Sequence, residues 1–159
     1  MNVTVIALGK LKEKYLKDAI DEYAKRIGAY ARLDIVELNP VKLSDNPSQA
    51  EIENALNKEA EDIKKKIPNN SFVFSLCIEG KAKSSEDFAK EIKSATVNGK
   101  SNIVFIIGSS FGLSPEIKRL SDNRLSFSPM TFPHQLMRVM LLEQIYRAFQ
   151  INNNGKYHK

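Results

Sequence analysis

Asn102-Ile103-Val104-Phe105-Ile106-Ile107, closed by Gly108, decides the fold together with Ser71-Phe72-Val73-Phe74-Ser75-Leu76-Cys77-Ile78. Neither run alternates between apolar and polar residues, so neither has a solvent face. Strands of this kind are buried on both sides, as in a parallel sheet covered by helices. Working outward, Asn2–Gly9 (NVTVIALG) is a further β-branched run, and Arg32–Asn39 (RLDIVELN) alternates at period two until Pro40 ends it. Helical periods separate these strands. Tyr15, Ala19, Tyr23 and Ile27 recur every four residues and predict the buried face of an amphipathic helix. Ser48-x-x-Glu51 is a capping box opening a helix with Ile52, Leu56, Ala60, Ile63 and Ile67 on its apolar side. Ser84-x-x-Asp87 caps a helix carrying Phe88 and Ile92, and Ser114-Pro115 starts a short one. Arg124–Phe127 reads as a short strand and Pro133–Gln150 as a long helix, with Gly155 just beyond. Strand–helix alternation throughout predicts one α/β domain over residues 1–159, a three-layer arrangement around a parallel-rich sheet.

The length of 159 residues suits one self-sufficient core, and 27% charged against 42% hydrophobic residues is a globular balance. The single Cys77 excludes an internal disulfide and points to a reducing, cytoplasmic setting. One cysteine and two histidines, His134 and His158, argue against a protein-built metal site. No apolar run approaches the roughly 20 residues of a membrane span, and the first residues lack a signal-peptide pattern. The net charge of +5 is unevenly spread: positions 1–80 hold 12 basic and 13 acidic residues, positions 81–159 hold 12 and 6. A basic second half fits a polyanionic partner, and equally a merely soluble surface.

The long last helix carries Leu136, Met137, Val139, Met140, Leu141, Leu142, Ile145, Tyr146, Ala148 and Phe149. Wound at 100° per residue, these cover more than one stripe, so the helix is buried on more than one side. A homodimer packed on this helix meets that requirement, and so does a central helix wholly inside one chain.

Three segments carry candidate chemistry. Gly108-Ser109-Ser110-Phe111-Gly112 follows a buried strand and precedes a helix, where α/β sheets bind small molecules. Gly108 would let a ligand approach the backbone. The spacing is neither the dinucleotide pattern nor a P-loop, so a plain turn is an equal reading. Phe127-Ser128-Pro129-Met130-Thr131-Phe132 leads into the long helix through Pro133 and His134. Stiff, apolar in side chain and rich in backbone polar groups, it suits a flat neutral heterocycle such as adenine. His134 in the first helical turn is disfavoured as imidazolium by the helix dipole. The end of the chain, Asn152 to Lys159, is polar yet closes on Tyr157, His158 and Lys159. Those side chains offer stacking, proton transfer and phosphate contact; a solubilising tail is the alternative.

The stretch S-x-S-x-M-T-x-P-H-x-L-x-R-x-x-L-x-E-Q-I-Y-R-A, from Ser126 to Ala148, with Tyr157-His158-Lys159 after it, resembles the C-terminal signature of the ribosomal RNA large subunit methyltransferase H family. Phe105-Ile106-Ile107-Gly108-Ser109-Ser110-Phe111-Gly112 is similar to that family's F-x-I-G-G-x-x-G loop, with Ser109 where glycine is common. Lys159 stands where the family often ends in arginine, keeping the charge but not its bidentate fork.

The resemblance implies a SPOUT methyltransferase, an α/β domain whose C-terminal segment forms a trefoil knot. It further implies a homodimer that binds S-adenosylmethionine and methylates N3 of a pseudouridine in helix 69 of 23S ribosomal RNA in assembled ribosomes. By motif position, the cofactor residues are Leu76, Gly108 and Phe127, Ser128, Pro129, Met130, Thr131 and Phe132. Arg138, Tyr157, His158 and Lys159 are implied for the RNA and the target base. A non-catalytic RNA-binding or ribosome-associated factor accounts for the charge but leaves the adenine-suited loop without a purpose.

Overall fold

The computed structural model describes residues 1–159. The core strand of the opening reading is β4 (Asn102–Ile107), and it is the middle of a five-stranded sheet of order β2-β1-β4-β3-β5. The others are β1 (Asn2–Leu8), β2 (Arg32–Leu38), β3 (Ser71–Ala82) and β5 (Asn123–Ser126). All four pairings are parallel, with Ala7 opposite Ile107 on one edge of β4 and Leu76 opposite Ile107 on the other. Five helices make the connections and the C-terminal layer: α1 (Lys14–Ile27), α2 (Gln49–Lys64), α3 (Ser85–Val97), α4 (Pro115–Leu120) and α5 (His134–Asn152).

Period-two alternation along the buried strands divides the core. Val3, Val5, Ile103, Phe105 and Ile107 face α1, α3 and α5, whereas Ile6, Val73, Val104 and Ile106 face α2 and α4. Helices thus cover both faces, in the three layers that the sequence predicts. Phe105 stacks on Phe74 at 4.9 Å between ring centroids, and Phe88 of α3 meets Phe74 edge-on at 5.7 Å. The three serine caps form as read: Ser48, Ser84 and Ser114 each accept the backbone N–H three residues on, and Glu51 completes the box at Ser48.

Two local expectations need correction. The buried face of α1 is Leu16, Ile20 and Ile27, and Tyr15 is exposed. A strict step of four residues advances about 400°, so Tyr15 drifts some 120° from Ile27, whereas Leu16 stays within about 20° of it. The second is β3, which does not end at Ile78. Leu125 of β5 is in register with both Leu76 and Lys81, so Cys77–Gly80 bulges out between them and the strand resumes to Ala82. A Cβ at Gly80 would lie 2.8 Å from the backbone of Arg124, so only glycine lets the two strands close again.

Phe105 is fully buried on the central strand. Phe105→Ala should lower unfolding free energy by about 3–5 kcal/mol, measured as a lower urea midpoint with unchanged slope.

Candidate functional site

At the C-terminal edge of the sheet the connections after β1 and β3 go to the α1–α3–α5 face, while the one after β4 crosses to the α2–α4 face. Neighbouring strands whose loops part in this way leave a crevice between them. The crevice is a cavity of roughly 360 Å³, within the range of small-ligand sites. Its walls are Leu76 and the bulge at Cys77–Glu79, the loop Ile107–Leu113, Leu125, and the segment from Phe127 to Met137. Of the eight residues expected to hold a cofactor, seven line it: Leu76, Gly108, Phe127, Ser128, Met130, Thr131 and Phe132. Pro129 is exposed and outside the lining. Met130, Phe111 and Ile78, 73%, 48% and 50% exposed, give it apolar margins.

Gly108 works differently from the expectation. A Cβ there would lie 2.4 Å from the Gly112 carbonyl oxygen and 2.6 Å from its carbon. The space is taken by the loop's own return, which the Gly112 N–H to Ser109 carbonyl bond of 2.8 Å closes. Close backbone approach is needed within the chain, ahead of any ligand.

A carboxylate that the sequence reading passed over anchors this loop. Glu59 of α2 is only 4% exposed; it accepts the Ser109 hydroxyl at 3.0 Å and the Val41 N–H at 2.9 Å. Its signal is visible in retrospect, a lone acid within the stripe Ile52, Leu56 and Ile63. Lys118 of α4 was also missed; it lines the cavity and pairs with Glu79 on the bulge. That bond and the lysine's charge hold the Glu79 carboxyl below the usual carboxylate range. His134 lines the cavity as well, and burial lowers its imidazole pKa, keeping it neutral near pH 7.

The residues expected at the target base are not on this cavity. Arg138 is 3% exposed, bonded through Nη1 to Glu37 at 2.7 Å and through Nη2 to the Gly9 carbonyl at 3.2 Å. The tail folds back on α3 and α5. His158 Nε2 lies 2.8 Å from Glu86, and Arg147 Nη1 lies 3.1 Å from Nδ1. Arginine can only donate, so Nδ1 accepts and the ring proton sits on Nε2, bonded to Glu86. Tyr157 donates to Glu143 at 2.9 Å beneath the Arg147 guanidinium, 4.7 Å from its ring centroid. Arg147, part of the quoted signature but given no role there, is the centre of this cluster, bonding Glu143 as well through Nε at 3.0 Å. Lys159 is exposed.

A family model described as "Predicted SPOUT methyltransferase" matches residues 1–158. The Ribosomal RNA large subunit methyltransferase H of Clostridioides difficile (strain 630) is 52% identical over 159 residues, covering all of both chains. The protein of that name from Streptococcus thermophilus (strain CNRZ 1066) is 51% identical over the same full length. The chain belongs to the ribosomal RNA large subunit methyltransferase H family of SPOUT methyltransferases. A solved structure from Haemophilus influenzae Rd KW20, titled as a "probable methylase family protein", superposes with a TM-score of 0.54. It is 16% identical, with 99% of this chain and 70% of that chain covered, and so bears on the fold alone. No helix of this family member is long and apolar enough to cross a membrane, and no group of three or more His, Cys, Asp or Glu side chains is placed to hold a metal ion.

Two outcomes follow from the geometry. Gly108→Ala drives a methyl group into backbone that cannot yield by a rotamer change. It should cost about 1–3 kcal/mol and speed amide exchange across Ser109–Leu113. The Tyr157 phenol is pushed up to about 12 by burial, then by its bond to Glu143 and that carboxylate's charge. A raised folded value means that the contact stabilises fully below the unfolded value near pH 10 and is lost as pH rises through about 12. The difference in alkaline absorbance titration between the native protein and Tyr157→Phe should show this late phenol, and Glu143→Gln should bring it back toward 10.

Proposed function

We propose that the chain is an S-adenosylmethionine-dependent methyltransferase acting on N3 of a pseudouridine in helix 69 of 23S ribosomal RNA, on assembled ribosomes. The names of its full-length relatives support the RNA class. The observation that carries the cofactor reading is the make-up of the cavity. Leu76, Ile107, Leu125 and Phe127 supply apolar walls, two loops supply backbone polar edges, and the one lysine is neutralised by Glu79. Such a site accepts a flat neutral heterocycle and does not repel a cofactor that bears positive charge. Leu76, Gly108 and Phe127–Phe132 are the residues that would hold it, with Pro129 stiffening the loop from outside. The same reading takes residues 1–159 as a single domain, with the segment from β5 through α5 in the family's trefoil knot. It takes the molecule as a cytoplasmic homodimer packed on α5, working without a metal.

The chemistry that S-adenosylmethionine supplies when bound is an electrophilic sulfonium-borne methyl group. The chain's part is to orient the target base, exclude water and remove a proton. An imide nitrogen bearing hydrogen has no free lone pair until that proton leaves. In this reading His158, directly or through a water, takes the proton. Lys159 balances the developing negative charge, and Tyr157 stacks on the uracil ring. The basic nitrogen of His158, Nδ1, is free to take a proton only when the Arg147 contact opens. The tail does not line its own chain's cavity, so the reading requires it to swing or a second copy to present its own.

Titration calorimetry with S-adenosylmethionine should register binding, and single-turnover assays on large ribosomal subunits should register methyl transfer. Deleting Tyr157–Lys159 should leave the first intact and slow the second by about 10²–10⁴-fold. An unchanged rate refutes the tail chemistry. Absence of cofactor binding would leave a non-catalytic RNA-binding factor as the reading.

A further inference from the structure

Side chains fasten the loop between β1 and α1 at three backbone points, beside the Gly9 N–H bond to the Leu38 carbonyl at 2.7 Å. The Gly9 carbonyl accepts from Arg138 at 3.2 Å, the Leu11 N–H donates to Glu37 at 3.1 Å, and the Lys12 N–H donates to Gln135 at 3.0 Å. Glu37 is itself bound to the buried Arg138 at 2.7 Å. Burial would raise the Glu37 carboxyl, but bonds from Arg138 and the Leu11 N–H, with the charges of Arg138 and Lys10, outweigh it and hold the group below the usual carboxylate range. Leu11 packs against the core, so its neighbours on either side, Lys10 and Lys12, turn outward and are exposed. Neither forms an ion pair, whereas Lys14 is taken by Asp18 at 2.7 Å.

The loop also stands beside the cavity. Ala7 pairs with Ile107, a cavity residue, so β1 delivers the loop at the same sheet edge. Gln135, to which Lys12 is bonded, directly follows the cavity residue His134.

We propose that Lys10 and Lys12, carried on this fastened loop, form a phosphate-contacting surface for the RNA whose target base enters the adjacent cavity. The inference rests on the RNA substrate reading above and adds the place where the backbone is held. A backbone already fixed by these bonds loses little further freedom when its two lysines bind a phosphate, which favours them over lysines on free chain ends. Arg138 then serves the RNA indirectly, as the group that holds the loop.

Purified large-subunit ribosomal RNA is the probe, with affinity followed from about 50 to 200 mM salt. Each lost phosphate contact removes roughly 0.7–0.9 from the slope of log K against log salt, so Lys10→Ala with Lys12→Ala should lower it by about 1.4–1.8. S-adenosylmethionine affinity and thermal midpoint should stay at the native values, because both side chains are exposed and outside the cavity lining. Lys65→Ala with Lys66→Ala, exposed at the C-terminal end of α2, should keep the native slope. If the first pair leaves the slope unchanged while the native protein binds RNA, or if both pairs lower it equally, the surface is wrong and the substrate reading stands. If the native protein shows no salt-dependent RNA binding, the substrate reading itself falls, and this surface with it.

Discussion

Every feature of the site depends on β4 being bonded on both edges and covered on both faces. Its neighbours β1 and β3 are parallel to it, and its residues Ile103–Ile107 alternate between two separate apolar clusters. A strand so enclosed cannot slip by one residue without exchanging the side chains of the two cores. The position of Gly108, one residue beyond its end, is therefore set by the whole domain. From that fixed point the chain doubles back at Gly112, and the Glu59 carboxylate holds Ser109 from the far layer. The cavity floor is thus rigid, while its outer wall, Phe127–Phe132, is loop.

The parts visible in the sequence are those governed by local rules. Apolar runs gave β3 and β4 their burial, and each serine cap lies three residues from the N–H it accepts. Where a feature depends on a distant partner, the sequence is silent. The Cys77–Gly80 bulge exists because Leu125, far along the chain, pairs on both sides of it. Glu59 and Ser109 are 50 residues apart, and Arg138 and Glu37 are 101 apart. Glu59 and Arg138 did leave a trace, as single polar residues on otherwise apolar helix stripes. A polar residue there needs a partner, and only the fold names it. The apolar residues of the C-terminal helix cover more than one stripe; of them Leu141, Leu142, Ile145, Ala148 and Phe149 are buried, Leu136 is exposed, and Val139 and Met140 are half-buried.

Charge shows most clearly what summation hides. The first 80 residues carry 12 basic and 13 acidic groups, which conceals Lys10, Lys12, Lys14 and Lys17 within eight positions. The second half is basic in total, yet its arginines at 138 and 147 are spent on Glu37 and Glu143. Net charge by segment therefore does not say which cations are free, because an ion pair counts its base and its acid wherever each falls in the chain.

The resulting division is physically coherent for methyl transfer to a polyanion. A cofactor with a positive sulfonium is best received by a cavity without free cations, and here the only lysine is answered by Glu79. A phosphate backbone requires the opposite field. In the proposed arrangement Lys10 and Lys12 supply it on the loop that β1 delivers at the same sheet edge, and they do not line the space where the cofactor would lie. Moving either lysine into the cavity would strengthen contact with one ligand by weakening the other. The fastening by Arg138 and Glu37 holds the lysine-bearing loop in place, which gives a role to a buried arginine in a helix whose other inward residues are apolar.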